Sequence, residues 1–218
     1  MIFFWREISS VPAEPGVYAW YYRLDISTFD VDATVENIKQ ANANGDAAKS
    51  EIIMRNFLLE RIFRYFEEDP YIATIRGPLK PKYHGTLHQQ SQISDSLIER
   101  LVQSPERLFI IKSVLHDSAP LFASPLYIGM SDKLRSRLAR HKVLIERAIS
   151  NPSKNQPSIF GSEDPETLDN CFAHSVAERR IPPTNLFVVV QPMTNVGDAH
   201  IDIENILNRI NFPLLGRN

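Results

Sequence analysis

Along this chain the apolar residues fall into short continuous runs, into helical spacing, or into polar stretches broken by Pro and Gly, and each texture predicts an element. Residues 17–22 are aromatic and β-branched, and they follow the turn cluster Val11-Pro12-Ala13-Glu14-Pro15-Gly16, so they read as a buried strand. The first firm element is expected near residue 16. Residues 31–48 and 49–66 have helical spacing, and the break at Asn44-Gly45-Asp46 makes them an αα-hairpin. Residues 76–85 are expected to be a loop from their Pro and Gly content. Their interleaved cationic and aromatic side chains suit a phosphate backbone, and a plain surface linker equally. Further along, the pattern predicts a helix over 93–102, a strand over 108–115, a loop over 151–169, a short helix over 171–178, a strand over 185–190 and a turn at 195–197. A last helix over 199–210 is expected to turn Ile203, Ile206, Leu207 and Ile210 inward, with Glu204 on the flank of that face about 60° from Leu207.

The densest signal lies at residues 125–141. An apolar run ends at Gly129, Ser131 and Asp132 come next as N-cap candidates, and helical spacing starts at Leu134. At 100° per residue, Leu138 and Ile145 lie within roughly 40° of Leu134 and define the inward stripe. His141 falls inside that stripe and Arg137 at its edge. A guanidinium there needs an anionic partner, either an internal carboxylate or a bound anion, and the helix alone does not choose between them.

Composition bounds the rest. A chain of 218 residues, 43% apolar and 23% charged, suffices for one domain or one domain with a large insertion. The single Cys171 excludes an internal disulfide framework and any multi-Cys zinc site, and it fits a reducing compartment. With no long apolar run and an N-terminus that is charged too soon for a signal peptide, no membrane partner is expected and a cytoplasmic location is. A net charge of −2 leaves any nucleic-acid contact to a local patch. Such a patch exists: Lys133, Arg135, Arg137, Arg140, Lys142 and Arg147 stand against Asp132 and Glu146, an excess of four, although a charge-rich helix is more often a solvated face.

Gly16-Val17-Tyr18 and Tyr127-Ile128-Gly129, taken with the residues downstream of each, resemble the GIY-YIG nuclease family. In that family an arginine follows the second tyrosine by ten positions and, in many members, a histidine by fourteen, the places of Arg137 and His141. A glutamate on a later helix and an asparagine beyond it are matched by Glu204 and Asn218. The resemblance covers residues 11–24 and 106–218. It implies an α/β fold of the α+β type, with a small antiparallel three-stranded sheet flanked by helices. Residues 1–24 and 106–218 would form the nuclease core, and residues 25–105 a mainly helical insertion after the first strand, where typical members have only a hairpin. A long insertion there is tolerable because closure entropy grows only logarithmically with length.

By the same resemblance the activity is metal-dependent hydrolysis of DNA phosphodiester bonds, as in restriction, phage defence or mobile elements. Tyr18 and Tyr127 would position or deprotonate the attacking water, Arg137 would meet a phosphate oxygen, and His141 would bind phosphate or relay a proton. Glu204 would hold one hard divalent ion, Mg²⁺ or Mn²⁺. Gly129, Arg135, Arg140, Lys142 and Asn218 complete the expected substrate-binding set, with Gly129 letting backbone pass close to the metal. The residues do not separate DNA from RNA as substrate. A different class of function fits the same resemblance: a catalytically weak or inactive nucleic-acid-binding subunit, whose insertion docks a protein partner or a second copy. Its support is the acidic net charge, that insertion, and a chain expected to end at Asn218 without the DNA-binding module many members append.

Overall fold

The computed structural model describes residues 1–67, 71–77, 80–88, 93–151, 165–193 and 199–215. In chain order the elements are β1 (Ile2–Phe4), a 3-10 segment (Trp5–Ser10), β2 (Gly16–Tyr22), α1 (Thr28–Ala43), α2 (Ala47–Arg61), β3 (Tyr71–Gly77), β4 (Lys80–Leu87), α3 (Asp95–Gln103), α4 (Arg107–Phe122), β5 (Tyr127–Ser131), α5 (Leu134–Ser150), α6 (Pro165–Glu178), β6 (Leu186–Pro192) and α7 (Ala199–Asn211). The class is α+β. The chain divides into two compact units, Met1–Asp25 with Val114–Asn218, and Ile26–Ser113. No helix among the described residues is long and apolar enough to cross a membrane.

The first unit is built on a four-stranded antiparallel sheet of order β1-β6-β2-β5. Central β2 is buried at Val17, Tyr18, Trp20 and Tyr22, as its aromatic run demands. Three strands were expected; the fourth is β1, whose three residues pair with Phe187, Val188 and Val189 of β6. It is too short to show a period, which is why residues 2–4 carried no strand signal. The main-chain N–H groups of Leu134 and Arg135, at the start of α5, reach the carbonyls of Glu14 and Pro12 at 3.2 Å each. The Pro-rich turn before β2 therefore satisfies the helix N-terminus, while Ser131 Oγ accepts from Lys133 N at 3.0 Å.

In the second unit α1 and α2 form the expected hairpin. Gly45 takes a positive φ of 72° at the break, and Asp46 caps α2 by accepting from Lys49 N at 3.0 Å. Two expectations fail in or beside this unit. Residues 76–77 and 80–85 are strand and not loop, with residues 78–79 outside the described residues: β3 and β4 pair antiparallel, with Tyr71 opposite Leu87 and Ile75 opposite Tyr83. Pro81 is compatible with β4 because both strands of a two-stranded sheet are edges. Residues 108–115 are helical, inside α4, because a continuous apolar run does not reveal its period and this helix extends to sixteen residues. The unit boundary consequently falls within α4 and not before it.

Two more corrections concern the last third of the chain. The expected loop over 151–169 gives way at residue 165 to α6, while residues 152–164 and the expected turn at 195–197 lie outside the described residues. On α7, Ile203, Glu204 and Leu207 are half-buried but Ile206 and Ile210 are exposed. The buried stripe is narrower than the apolar one.

Candidate functional site

Tyr18 stands mid-strand on β2, opposite Gly129 of β5, and Trp20 stands opposite Tyr127. Alternation along the strands puts these four residues on one face of the sheet. The Tyr18 ring lies across Gly129: a Cβ there would sit 2.7 Å from Tyr18 Oη and 2.9 Å from Tyr127 Cε1. The glycine makes room for the tyrosine pair, whose ring centroids are 6.3 Å apart. Gly129→Ala is therefore expected to lower stability by about 1–3 kcal/mol through overpacking, read as a fall in the urea midpoint at unchanged slope.

The inward stripe of α5 meets this face. Leu134, Leu138, His141 and Ile145 are all fully buried. The His141 ring is enclosed by Tyr18, Trp20, Tyr127 and Phe172, at centroid distances of 5.6, 6.2, 5.6 and 5.5 Å. Its Nε2 lies 3.0 Å from Tyr18 Oη, and Arg137 Nε donates to the same oxygen at 3.4 Å. Four of the residues singled out in the sequence, from two strands and one helix, thus converge on one aromatic-walled cluster.

Sequence reasoning missed the residue that neutralises it. Asp169 of α6 is fully buried, with Oδ1 2.7 Å from an Arg137 terminal nitrogen and 2.9 Å from His141 Nε2, and Oδ2 3.8 Å from Arg140 Nε. The carboxylate is met at ion-pair distance and not along well-aligned N–H bonds. Of the two partners the helix wheel left open for Arg137, the internal carboxylate is present, and the Arg137 side chain remains 17% exposed. The signal existed in the sequence. Asp169, Phe172, Ala173 and Val176 recur at i, i+3, i+4 and i+7 and are all buried, so extending the helix over Cys171 back by one turn places the aspartate on its inner face.

The remaining expected residues divide. Glu204 lies on α7, which packs on β5 and β2, and its carboxylate is close enough to raise the Tyr127 hydroxyl. Arg140 borders Asp169. Arg135 Nε donates to the Val11 carbonyl at 2.7 Å, and Lys142 reaches the Trp5 carbonyl at 3.4 Å with its ammonium 5.4 Å from the Trp5 ring centroid. These two cations fasten α5 to the N-terminal segment. Asn218 lies outside the described residues.

Burial governs the protonation states. Desolvation, aided by Tyr127 and only partly offset by Arg137, holds the Tyr18 hydroxyl well above its ordinary value; desolvation and then Asp169 push Tyr127 up to about 12. Both are neutral hydroxyls at pH 7. Arg137 is desolvated too, yet Tyr18 and Asp169 more than compensate and hold it charged. For His141, desolvation outweighs the pull of Asp169 and its pKa is lowered, so the ring is neutral. Two oxygens face Nε2 and no described partner faces Nδ1, which puts the single ring proton on Nε2.

The lowered value has a pH consequence. The unfolded chain takes up the histidine proton near 6.5 and the native state only at lower pH, so this contribution to stability is full above about 6.5 and is lost as pH falls toward the folded value. Urea midpoints at about pH 7.5 and pH 5.5 should differ in the wild type, and differ less in His141→Gln.

Among the described residues no three of His, Cys, Asp and Glu converge as a metal cage. Besides Asp169, Glu204 is a described carboxylate near Tyr127, and it is half-buried. A single carboxylate at the rim fits a hard divalent ion that keeps several of its waters.

No protein-family model, curated protein or solved structure matches this chain.

Proposed function

We propose that this chain is a metal-dependent endonuclease of the GIY-YIG type that hydrolyses DNA phosphodiester bonds. The observation that carries the reading is the convergence of Tyr18, Tyr127, Arg137 and His141 with Glu204 beside Tyr127, since sequence positions from 18 to 204 contribute to one neighbourhood. Arg137 holds a fixed charge on a side chain that is 17% exposed, a charge suited to a phosphate oxygen. As neutral hydroxyls, Tyr18 and Tyr127 orient a water and do not take its proton. His141, protonated on Nε2, donates and thereby keeps Tyr18 in place. Glu204 would hold Mg²⁺ or Mn²⁺, which when bound supplies Lewis-acid stabilisation of phosphoryl charge.

The Arg137–Asp169 contact favours the second reading, a nucleic-acid-binding subunit that does not cut, because one edge of the guanidinium already has its anion at 2.7 Å. One assay separates the two. Purified protein is incubated with supercoiled, linear and single-stranded DNA and with RNA, in Mg²⁺, Mn²⁺ or EDTA. Metal-dependent nicking supports the nuclease; binding without cleavage under every metal supports the subunit.

A further inference from the structure

The second unit contains an element that the site does not use. β3 and β4 form a two-stranded ribbon on which no other described element packs extensively. An isolated hairpin is at best marginally stable in water, so a ribbon with both faces open is a surface awaiting a partner. Its two faces differ. The register places Thr74 opposite His84, which puts Lys82, His84 and Thr86 on one face; Ile75 opposite Tyr83 puts those two with Leu87 on the other. Lys82, His84 and Thr86 are exposed, as are Ile75, Tyr83 and Leu87 at 68%, 56% and 60%.

Charge identifies the partner. From Tyr71 to Ser94 the sequence holds Arg76, Lys80, Lys82, His84 and His88 and no Asp or Glu, in a chain whose net charge is −2. The three Lys and Arg of this stretch thus leave −5 for the rest of the chain. Carboxylates resume only at the flanks, with Glu67-Glu68-Asp69 before and Asp95 after. A stretch of sequence with three fixed cations and no carboxylate suits a polyanion and has little to offer a mixed-charge protein surface. The shape narrows the choice, since the major groove of B-form DNA, about 12 Å wide, admits a two-stranded β-ribbon and the narrow major groove of A-form RNA does not.

We propose that the β3–β4 ribbon is a duplex-DNA contact surface, with Lys82 and His84 on its phosphate-facing side. It rests on the nuclease reading only for its purpose, which is to add affinity for the target DNA.

The test is binding of the full chain, in EDTA so that nothing is cut, to a short fluorescein-labelled duplex across about 50 to 200 mM salt. Each lost phosphate contact lowers the slope of log K against log salt by about 0.9. Lys82→Ala should weaken binding and reduce the slope by about one such step, Lys82→Ala/His84→Ala should weaken binding further, and Lys82→Arg should restore it. Lys39→Ala, removing an exposed lysine 3.0 Å from Glu106 on the same unit, should change nothing. An unchanged slope in the double variant, or no duplex binding by the wild type at low salt, overturns the proposal. A slope effect seen with single strands or duplex RNA and not with duplex DNA overturns the assignment of partner. The two readings fail separately: nicking in Mg²⁺ that persists without any ribbon effect on binding sinks only the ribbon, and a ribbon effect without nicking under any metal sinks only the nuclease.

Discussion

Arg137→Lys and Glu204→Ala are each expected to slow plasmid nicking in Mg²⁺ by at least about a hundredfold, the ordinary cost of removing one preorganised charge-stabilising group. Lysine is the informative change at 137. Alanine would strand Asp169, fully buried, beside a neutral histidine, so lost activity would be confounded with lost structure. Lysine keeps a positive charge for Asp169 but lacks the planar fork that can hold the carboxylate on one edge and a phosphate oxygen on another. Glu204 is only half-buried and is not one of the rings that enclose His141, so its removal is expected to leave the aromatic cluster intact. Melting temperatures within a few degrees of wild type, with nicking lost, are the expected result. Wild-type rates in both variants would dismiss the assigned roles of both residues.

The parts of this fold that the sequence made legible are those where a period persists. The stripe Leu134, Leu138, His141, Ile145 spans three turns of α5, and that spacing is the mark of one helix face turned inward. Strands β2 and β6 were readable because they are long and flanked by Pro-rich turns. β1 was not, because three residues show no alternation, and its pairing depends on β6, near the other end of the chain. The ribbon and α4 failed for one shared reason: local composition was read where the deciding fact was length. Gly and Pro punctuate strand ends as well as loops, and the run Leu108 to Ile111 is apolar whether extended or helical. At the site, the tyrosines and the α5 residues were visible through spacing. Asp169 was hidden because it is a polar member of an inward stripe whose later members, Phe172, Ala173 and Val176, fall in the expected helix over 171–178, whereas α6 begins six residues earlier, at Pro165.

Asp169→Ala is expected to be among the most destabilising single changes in the first unit, on the order of 3 kcal/mol, the low end of the range for breaking a buried pair because Arg137 keeps a 17% exposed edge to water. The cost arises from the charge left behind. Arg137→Leu/Asp169→Leu, which removes both members, should therefore recover most of the loss, as a packed apolar pair commonly equals a buried ion pair. Asp169→Asn separates shape from charge. It preserves volume but removes the anion that counters desolvation of His141, so the folded histidine pKa falls further below its ordinary value. Stability in that variant should then keep declining with acid past the point where the wild type levels off, a larger total loss below about pH 6.5. Urea titrations of the four proteins across that range check both signs. A double variant no more stable than Asp169→Ala would mean that packing, not charge pairing, is what α6 contributes. An unchanged acid limb in Asp169→Asn would mean that the aspartate does not set the state of His141, and the cluster would have to be explained by its aromatic walls alone.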